Sequence, residues 1–365
     1  MTQPLRILLM SAGSLCARNV IDALAGRRHA VTLVGTNSTA AAGGVFDCDA
    51  AYLVPPAADP GYRSALTEII AAERPDLVIP TRDDDVVALA RIKAERPDAS
   101  GPVLLTGSVR AAELMDDKLA SYRFAVEEEL PFAMTVDTLD GALALGATHG
   151  FPLIGKPARG NGTRGVVVLC SPDQVKCAFD RGPMVVQPYL DASPATSSAI
   201  PDFSAGVPFL FSLPEDGQYA VQVVIGPDGR CSEPFASRNS MVCGRCEWSE
   251  RTTEPALLDA GLSFAQAIQR AGWMGPFNVQ FKRLPDGRFV AFEMNGRFTG
   301  TTSARRFLGF DEVAEVFRRF TAWSGDAEAA SATPAFAVQK VLADHALPAS
   351  AIERLQETGY WRRSC

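Results

Sequence analysis

The stretch Asn278-Val-Gln-Phe-Lys-Arg-Leu-Pro-Asp-Gly-Arg-Phe-Val-Ala-Phe-Glu-Met-Asn295 decides how the second half of this chain is read. Alternating residues flank Pro285-Asp-Gly287, and Asp-Gly between such runs is a strong hairpin signal. With Asp286-Gly287 as a two-residue turn, Pro285 faces Arg288, Leu284 faces Phe289 and Gln280 faces Glu293. Asn295, two residues further, shares the face of Glu293, whereas Phe292 and Met294 point to the other. Gln280, Glu293 and Asn295 therefore converge. Magnesium takes hard oxygen ligands from few protein groups and fills its shell with phosphate and water, so the trio reads as a site for Mg2+ or Mn2+. An exposed polar face is the commoner fate of such a hairpin. Here Glu293 follows Phe289-Val-Ala-Phe292, and Arg297 and Gly300 lie just beyond it, which favours the metal site.

Upstream, the apolar run Phe151-Pro-Leu-Ile-Gly-Lys-Pro157 is followed by Ala158-Arg-Gly-Asn-Gly-Thr-Arg-Gly165. A strand, a glycine-rich turn and a second strand can fold over phosphates. Gly160, Gly162 and Gly165 let backbone N–H groups approach, while Lys156, Arg159 and Arg164 offset the charge. The spacing lacks the Walker pattern, so this is a different phosphate loop. Lys118 opens a helix capped by Asp116 or Asp117. A cation in a first helical turn opposes the helix dipole, which hints at an anionic partner. Met184–Leu190 reads as an apolar strand ending in a bend. Between Leu190 and Glu215 runs a Ser/Pro/Ala-rich insertion, and the tail reads as a strand over Ala335–Leu342 and a helix over Ala349–Gln356.

The first 130 residues or so alternate short apolar runs (Ile7–Met10, Val31–Gly35, Ala51–Val54, Leu77–Pro80, Val103–Thr106) with amphipathic ones, the pattern of a small doubly wound parallel sheet. Only Gly13 of a dinucleotide fingerprint is present after the first strand, and no acidic residue ends the second, so a plain tight turn is expected there. The chain has 365 residues, 47% of them hydrophobic, which predicts two or three domains with packed cores. Its formal net charge of −7 supplies no diffuse positive field for nucleic acid or an anionic membrane. Eight Cys and no reading of a signal peptide or membrane span predict a cytoplasmic protein with free thiols.

Taken together these segments resemble the ATP-grasp superfamily, in particular the branch of carbamoyl phosphate synthase large chains and carboxylate–amine ligases. The resemblance covers roughly residues 1–325. It implies an α/β and α+β architecture: a Rossmann-like pre-ATP-grasp domain over 1–112, a small lid subdomain over 113–186, a large subdomain carrying the metal hairpin over 187–325, and a C-terminal strand and helix over 326–365. It further implies ATP as co-substrate, with Lys118 and Lys156 on its phosphates, the Arg159–Gly165 loop closing over them and Gln187, Pro188, Tyr189 and Leu190 as the adenine hinge. Gln218 or Glu215 would meet the ribose, and Arg297 would steady the transferred phosphoryl group or the tetrahedral intermediate. Arg238, Arg245 and Arg305 come from regions that relatives turn toward the acceptor pocket, where one could grip a substrate carboxylate. The implied reaction joins a carboxylate to an amine, on amino acid-like substrates, through an acyl phosphate, with release of ADP and phosphate. A carboxyphosphate or carbamate kinase and a catalytically silent nucleotide binder are the alternatives. The expected partners are small molecules, with a homodimer allowed and no nucleic acid or membrane.

Two further signals carry less. Cys243-Gly-Arg-Cys246 has the spacing of a zinc half-site, but a second pair is missing and no His is near. Asp83-Asp84-Asp85 reads as the acidic first turn of a helix, with a lesser chance of facing the cleft.

Overall fold

In the computed structural model the described residues are 3–96, 101–160, 164–190, 217–242, 244–323, 333–341 and 343–363. Three sheets organise them. The first contains β1 (Leu5–Leu9), β2 (Val31–Asn37), β3 (Ala50–Leu53), β4 (Leu77–Ile79) and β5 (Val103–Leu104), mutually parallel in the order β3-β2-β1-β4-β5. These strands are near-continuous apolar runs because both faces are covered. Ile7, Leu9, Leu33 and Leu77 enter one core, while Leu8, Val34 and Val78 enter another beneath the crossover helices. The first core also receives Val224, Phe298, Val313 and Phe317 from the C-terminal half, which seats this layer firmly on the rest of the chain.

A small antiparallel sheet joins β6 (Leu153–Lys156), β7 (Val167–Leu169) and β8 (Val185–Pro188), with β6 central. Its core takes Leu145, Leu153, Val175 and Val186. The helices Val109–Asp116 and Lys118–Glu127 lie outside that core. Ala111, Met115, Phe124 and Ala125 pack instead with Phe277, Phe281 and Met294 of the large sheet, because their apolar faces turn toward it.

The large sheet is antiparallel, in the order β13-β12-β9-β10-β11-β14, from β9 (Gln218–Ile225), β10 (Phe235–Val242), β11 (Arg245–Thr252), β12 (Gly275–Arg283), β13 (Phe289–Asn295) and β14 (Ala337–Gln339). The helix Pro255–Arg270 covers one face, and its Gly261 sits directly on Val221 of β9. The tail differs from expectation. It forms no layer of its own: β14 is only three residues long and edges the large sheet, and β15 (Tyr360–Arg362), after the helix Ala349–Thr358, adds antiparallel to β3 at the edge of the first sheet. The apolar pair Tyr360 and Trp361 supplies the reason, since each ring packs on an aromatic partner, Tyr52 and Phe46.

The hairpin also differs in detail, in two ways that cancel. Leu284 N–H donates to Arg288 O, so Leu284, not Pro285, faces Arg288 and the loop has three residues, closed by Gly287 at φ 87°. This shifts the register by one: Arg283 pairs with Phe289 and Phe281 with Ala291. A bulge at Phe292 then restores the original count, so Gln280 does pair with Glu293 and Asn278 with Asn295. Phe292, the extra residue, is thereby turned into the cleft instead of the opposite face, while Met294 lies in the core as expected.

Candidate active site

A cleft of about 1020 Å³ opens where the three sheets meet. The large sheet supplies its floor, through Gln218 and Ala220 of β9, Gln280 and Asn278 of β12, and Glu293 and Asn295 of β13. These positions share a face because β9, β12 and β13 are in register: Ala220 pairs with Gln280, which pairs with Glu293. Gln218 donates from Nε2 to Gln280 Oε1, which orients the amide oxygen. The Glu293 carboxylate has no direct hydrogen bond or ion pair among the described residues, and Asn295 Nδ2 is buried without a partner there.

The small sheet supplies the roof. Lys156, at the end of β6, is buried beside the Phe292 ring, 5.6 Å from its centroid, and donates at 3.4 Å to Phe292 O. Burial depresses its pKa to about 8, against the opposing pull of Glu293 and with help from the Lys118 charge. Lys118 follows its cap Asp117, whose carboxylate accepts from Leu119 and Ala120 N–H, and its Nζ donates to Gly160 O at 3.0 Å. A cation in the first helical turn thus anchors the glycine loop. Arg159 reaches Asp116 and Asp117 at 3.6 and 3.4 Å, and Arg164 also faces the cleft. Gly160 and Gly165 both have positive φ, as a tight phosphate loop requires; Gly162 lies outside the described residues. Gln187, Pro188, Tyr189 and Leu190 line the adjacent end, with Gln187 Nε2 donating to Thr135 Oγ1 at 2.8 Å.

The far end is closed by the first sheet and by Thr299–Thr301. Ser11, Gly13 and Ser14 after β1, with Thr81 and Arg82 after β4, line it. The turn at Gly13 is the plain tight turn expected, with Ser14 N–H donating to Ser11 O, yet sequence reasoning missed that it borders the site. Asn278 and Phe292 were missed as well, while Asp83 was read only as one of three acids in a helix's first turn, which it is. Alternation along β12 could have found Asn278, two residues before Gln280; nothing in the sequence marks Asp83 above its neighbours.

The three candidate substrate arginines part company. Arg245 lines the cleft. Arg238 does not: alternation puts Asn239 on the cleft face, so Arg238 points to the other and lies 3.6 Å from Glu250. Arg305 is also corrected. It is 1% exposed, donates from Nε to Glu312 at 2.5 Å and from its other nitrogens to Thr299, Thr301 and Thr302, so it braces the wall of the cleft from behind. Cys243 and Glu215 lie outside the described residues; Cys246 is buried against Asn239 and Trp248 O, and no cluster of three or more His, Cys, Asp or Glu able to hold a metal occurs among the described residues.

Arg297 is more constrained than expected. Nε and Nη2 donate to the two oxygens of Asp83 at 2.7 and 2.8 Å, Nη2 also donates to Asn295 Oδ1 at 2.9 Å, and Nη1 donates to Phe298 O at 3.3 Å and Cys16 Sγ at 3.6 Å. Guanidinium has five N–H groups, and all five are engaged.

Three sheets in this arrangement, a parallel layer followed by a small antiparallel roof and a large antiparallel floor with a cation-rich cleft between, define an ATP-grasp fold. The comparisons agree with that fold. Residues 7–104 match the family described as PylC-like, N-terminal domain. The chain is 27% identical over 238 residues to a formate-dependent phosphoribosylglycinamide formyltransferase of Cupriavidus necator, covering 61% of this chain and 53% of that protein. It is 24% identical over 287 residues to the protein of the same name from Thioalkalivibrio sulfidiphilus, covering 76% and 66%. It thus spans between about half and two thirds of the length of these relatives. Among solved structures it is similar to N5-carboxyaminoimidazole synthetase from Staphylococcus aureus complexed with ADP (TM-score 0.66, 13% identity, 89% and 79% of the two chains). It is likewise similar to the biotin carboxylase domain dimer of Hydrogenobacter thermophilus 2-oxoglutarate carboxylase (TM-score 0.64, 15% identity, 87% and 70%).

Proposed function

We propose that this protein is an ATP-dependent carboxylate–amine ligase that forms an amide through an acyl phosphate. The observation that carries the reading is the charge of the cleft. Among the described residues its wall holds eight cations, Arg82, Lys118, Lys156, Arg159, Arg164, Arg245, Lys282 and Arg297, against one lining carboxylate, Glu293, in a chain whose net charge is −7; Asp84, Asp116 with Asp117, and Asp83 pair with Arg82, Arg159 and Arg297 from behind the wall and leave it an excess of positive charge. Such a cleft takes polyanions. Relatives with the same fold are complexes with ADP, and the curated relatives are formate-dependent, that is, carboxylate-using by name.

The floor suits a magnesium or manganese ion. Its donor set is all oxygen, and its one carboxylate has no hydrogen bond or ion pair among the described residues. A divalent ion held by Gln280, Glu293 and Asn295 would neutralise phosphate charge. The chain's own groups do the rest. Lys156 and Arg164 face the phosphates from the roof, and the glycine loop presents backbone N–H groups. Gln187 to Leu190 form the slot for adenine and Gln218 is placed for the ribose. Arg245 offers its fork to a substrate carboxylate at the far end. The carboxylate oxygen attacks the γ-phosphorus, ADP leaves, and the amine then attacks the acyl carbon, loses a proton and expels phosphate. Positioning and electrostatics suffice for this sequence. The substrates are small molecules of amino acid type; with ATP as co-substrate the cytoplasm is the working compartment. A homodimer is the assembly, by analogy with the H. thermophilus domain dimer. No helix among the described residues is long and apolar enough to cross a membrane.

The test is ADP release with Mg2+ across a panel of carboxylates with and without amines. Amine-dependent turnover, cut at least about a hundredfold by Glu293→Gln, is the expected result. Nucleotide binding without turnover across a broad panel overturns the proposal in favour of a binding module.

A further inference from the structure

We infer that Asp83, contributed by the parallel N-terminal layer, is the positioning residue of the metal floor, acting through Arg297, which ties the two together. The inference rests on the ligase reading above for the identity of the floor. The geometry itself stands on the hydrogen bonds of one side chain.

Asp83 opens the helix Asp83–Ala94, 214 residues from Arg297 in sequence. Its two oxygens take Nε and Nη2 in a fork-to-fork pair at 2.7 and 2.8 Å, with both side chains nearly buried at 14% and 10% exposure. That pairing fixes the guanidinium plane. Only then does the second N–H of Nη2 fall 2.9 Å from Asn295 Oδ1, the oxygen that a floor ligand must present. The remaining two N–H groups go to Phe298 O and Cys16 Sγ, so an anion could gain a hydrogen bond from Arg297 only by displacing a protein partner. A partner behind a metal ligand fixes that ligand's orientation, and its loss typically costs about 10–100-fold in metal affinity or activity. The first-sheet layer is therefore wired to the floor by one ion pair.

Asp83→Asn keeps the size and one acceptor but loses the charge and the fork. Mn2+ binding to the protein with ADP, followed by water proton relaxation, should need about tenfold more Mn2+ for half-saturation in this variant, while the KM for ATP stays within about twofold and kcat falls by about tenfold or more. Arg297→Lys, which keeps the charge but cannot fork, should show the same defect, and the double variant should be no worse than either single one. Asp84→Asn, at the half-buried next position of the same helix, where the carboxylate pairs with Arg82, controls for a lost helix-terminal charge and should leave Mn2+ binding unchanged. Unaltered Mn2+ half-saturation in a folded Asp83→Asn variant, even with a lowered Tm, overturns the inference alone. Absence of Mn2+·ADP binding in the unsubstituted protein overturns both it and the ligase reading.

Discussion

At the scale of single residues, the site sets function against stability. Lys156 is buried at the roof, and its pKa of about 8 reflects the cost of keeping an ammonium out of water. The sign follows directly. The folded value lies below the ordinary lysine value of 10.5, so folding disfavours the charged form, and the penalty is present below about pH 8 and fades as pH rises toward 10.5. Lys156→Met should therefore raise the Tm of the nucleotide-free protein at pH 7 while abolishing tight ATP binding. ATP affinity of the unsubstituted protein should weaken as pH climbs through about 8, measured as KM for ATP against pH, and a flat profile to about pH 9.5 would contradict this. Glu293 and Lys156 were visible in the sequence as chemistry. Asp83 was not, because its importance comes from a partner 214 positions away.

Among the elements, the β12–β13 hairpin shows how a right pairing can arise from a wrong turn. The sequence predicts a two-residue Asp-Gly turn; the loop has three residues, and the bulge at Phe292 takes up the difference. The reason is local: Pro285 cannot donate to the ladder, so the pair closes one position earlier, at Leu284 and Arg288, and Gly287 takes the left-handed position. Without the bulge Glu293 would leave the floor, since a one-residue slip turns every side chain to the opposite face. Deleting Phe292, by contrast, takes out the extra residue and leaves Glu293 opposite Gln280, so the folded deletion variant should keep Mn2+ binding, and loss of that binding would contradict this register. The helix Pro255–Arg270 gives a second case. An added Cβ at Gly261 would lie 2.4 Å from Val221 Cγ1, so Gly261→Ala should destabilise by about 1–3 kcal/mol, read as a lower urea midpoint.

Over the whole molecule, electrostatics and the returning tail matter most. Eight cleft cations in an acidic chain concentrate positive potential in one place, so the KM for ATP should rise steeply between low and physiological ionic strength, and a salt-insensitive KM would count against the cleft as the binding site. The tail closes the outer edges of two sheets. Lys340, beside β14, donates to Asn19 Oδ1 at 2.6 Å and to Gly300 O, joining the first helix to the cleft wall. Removing residues 333–365 bares two strand edges and this contact, and the truncated chain should aggregate on heating well before the full one.

Periodicity and turn chemistry are local, and they determined the parallel first layer, the β12–β13 hairpin, the glycine loop and the oxygen trio, because residues close in the chain must meet in strands and tight turns whatever the rest does. Tertiary structure alone decided which arginine faces the cleft, which braces it from behind and which is tied up by Asp83. It also decided that the tail is shared between two sheets. Those outcomes depend on which buried charge finds a partner and which apolar face finds cover, and both are settled only when distant segments pack.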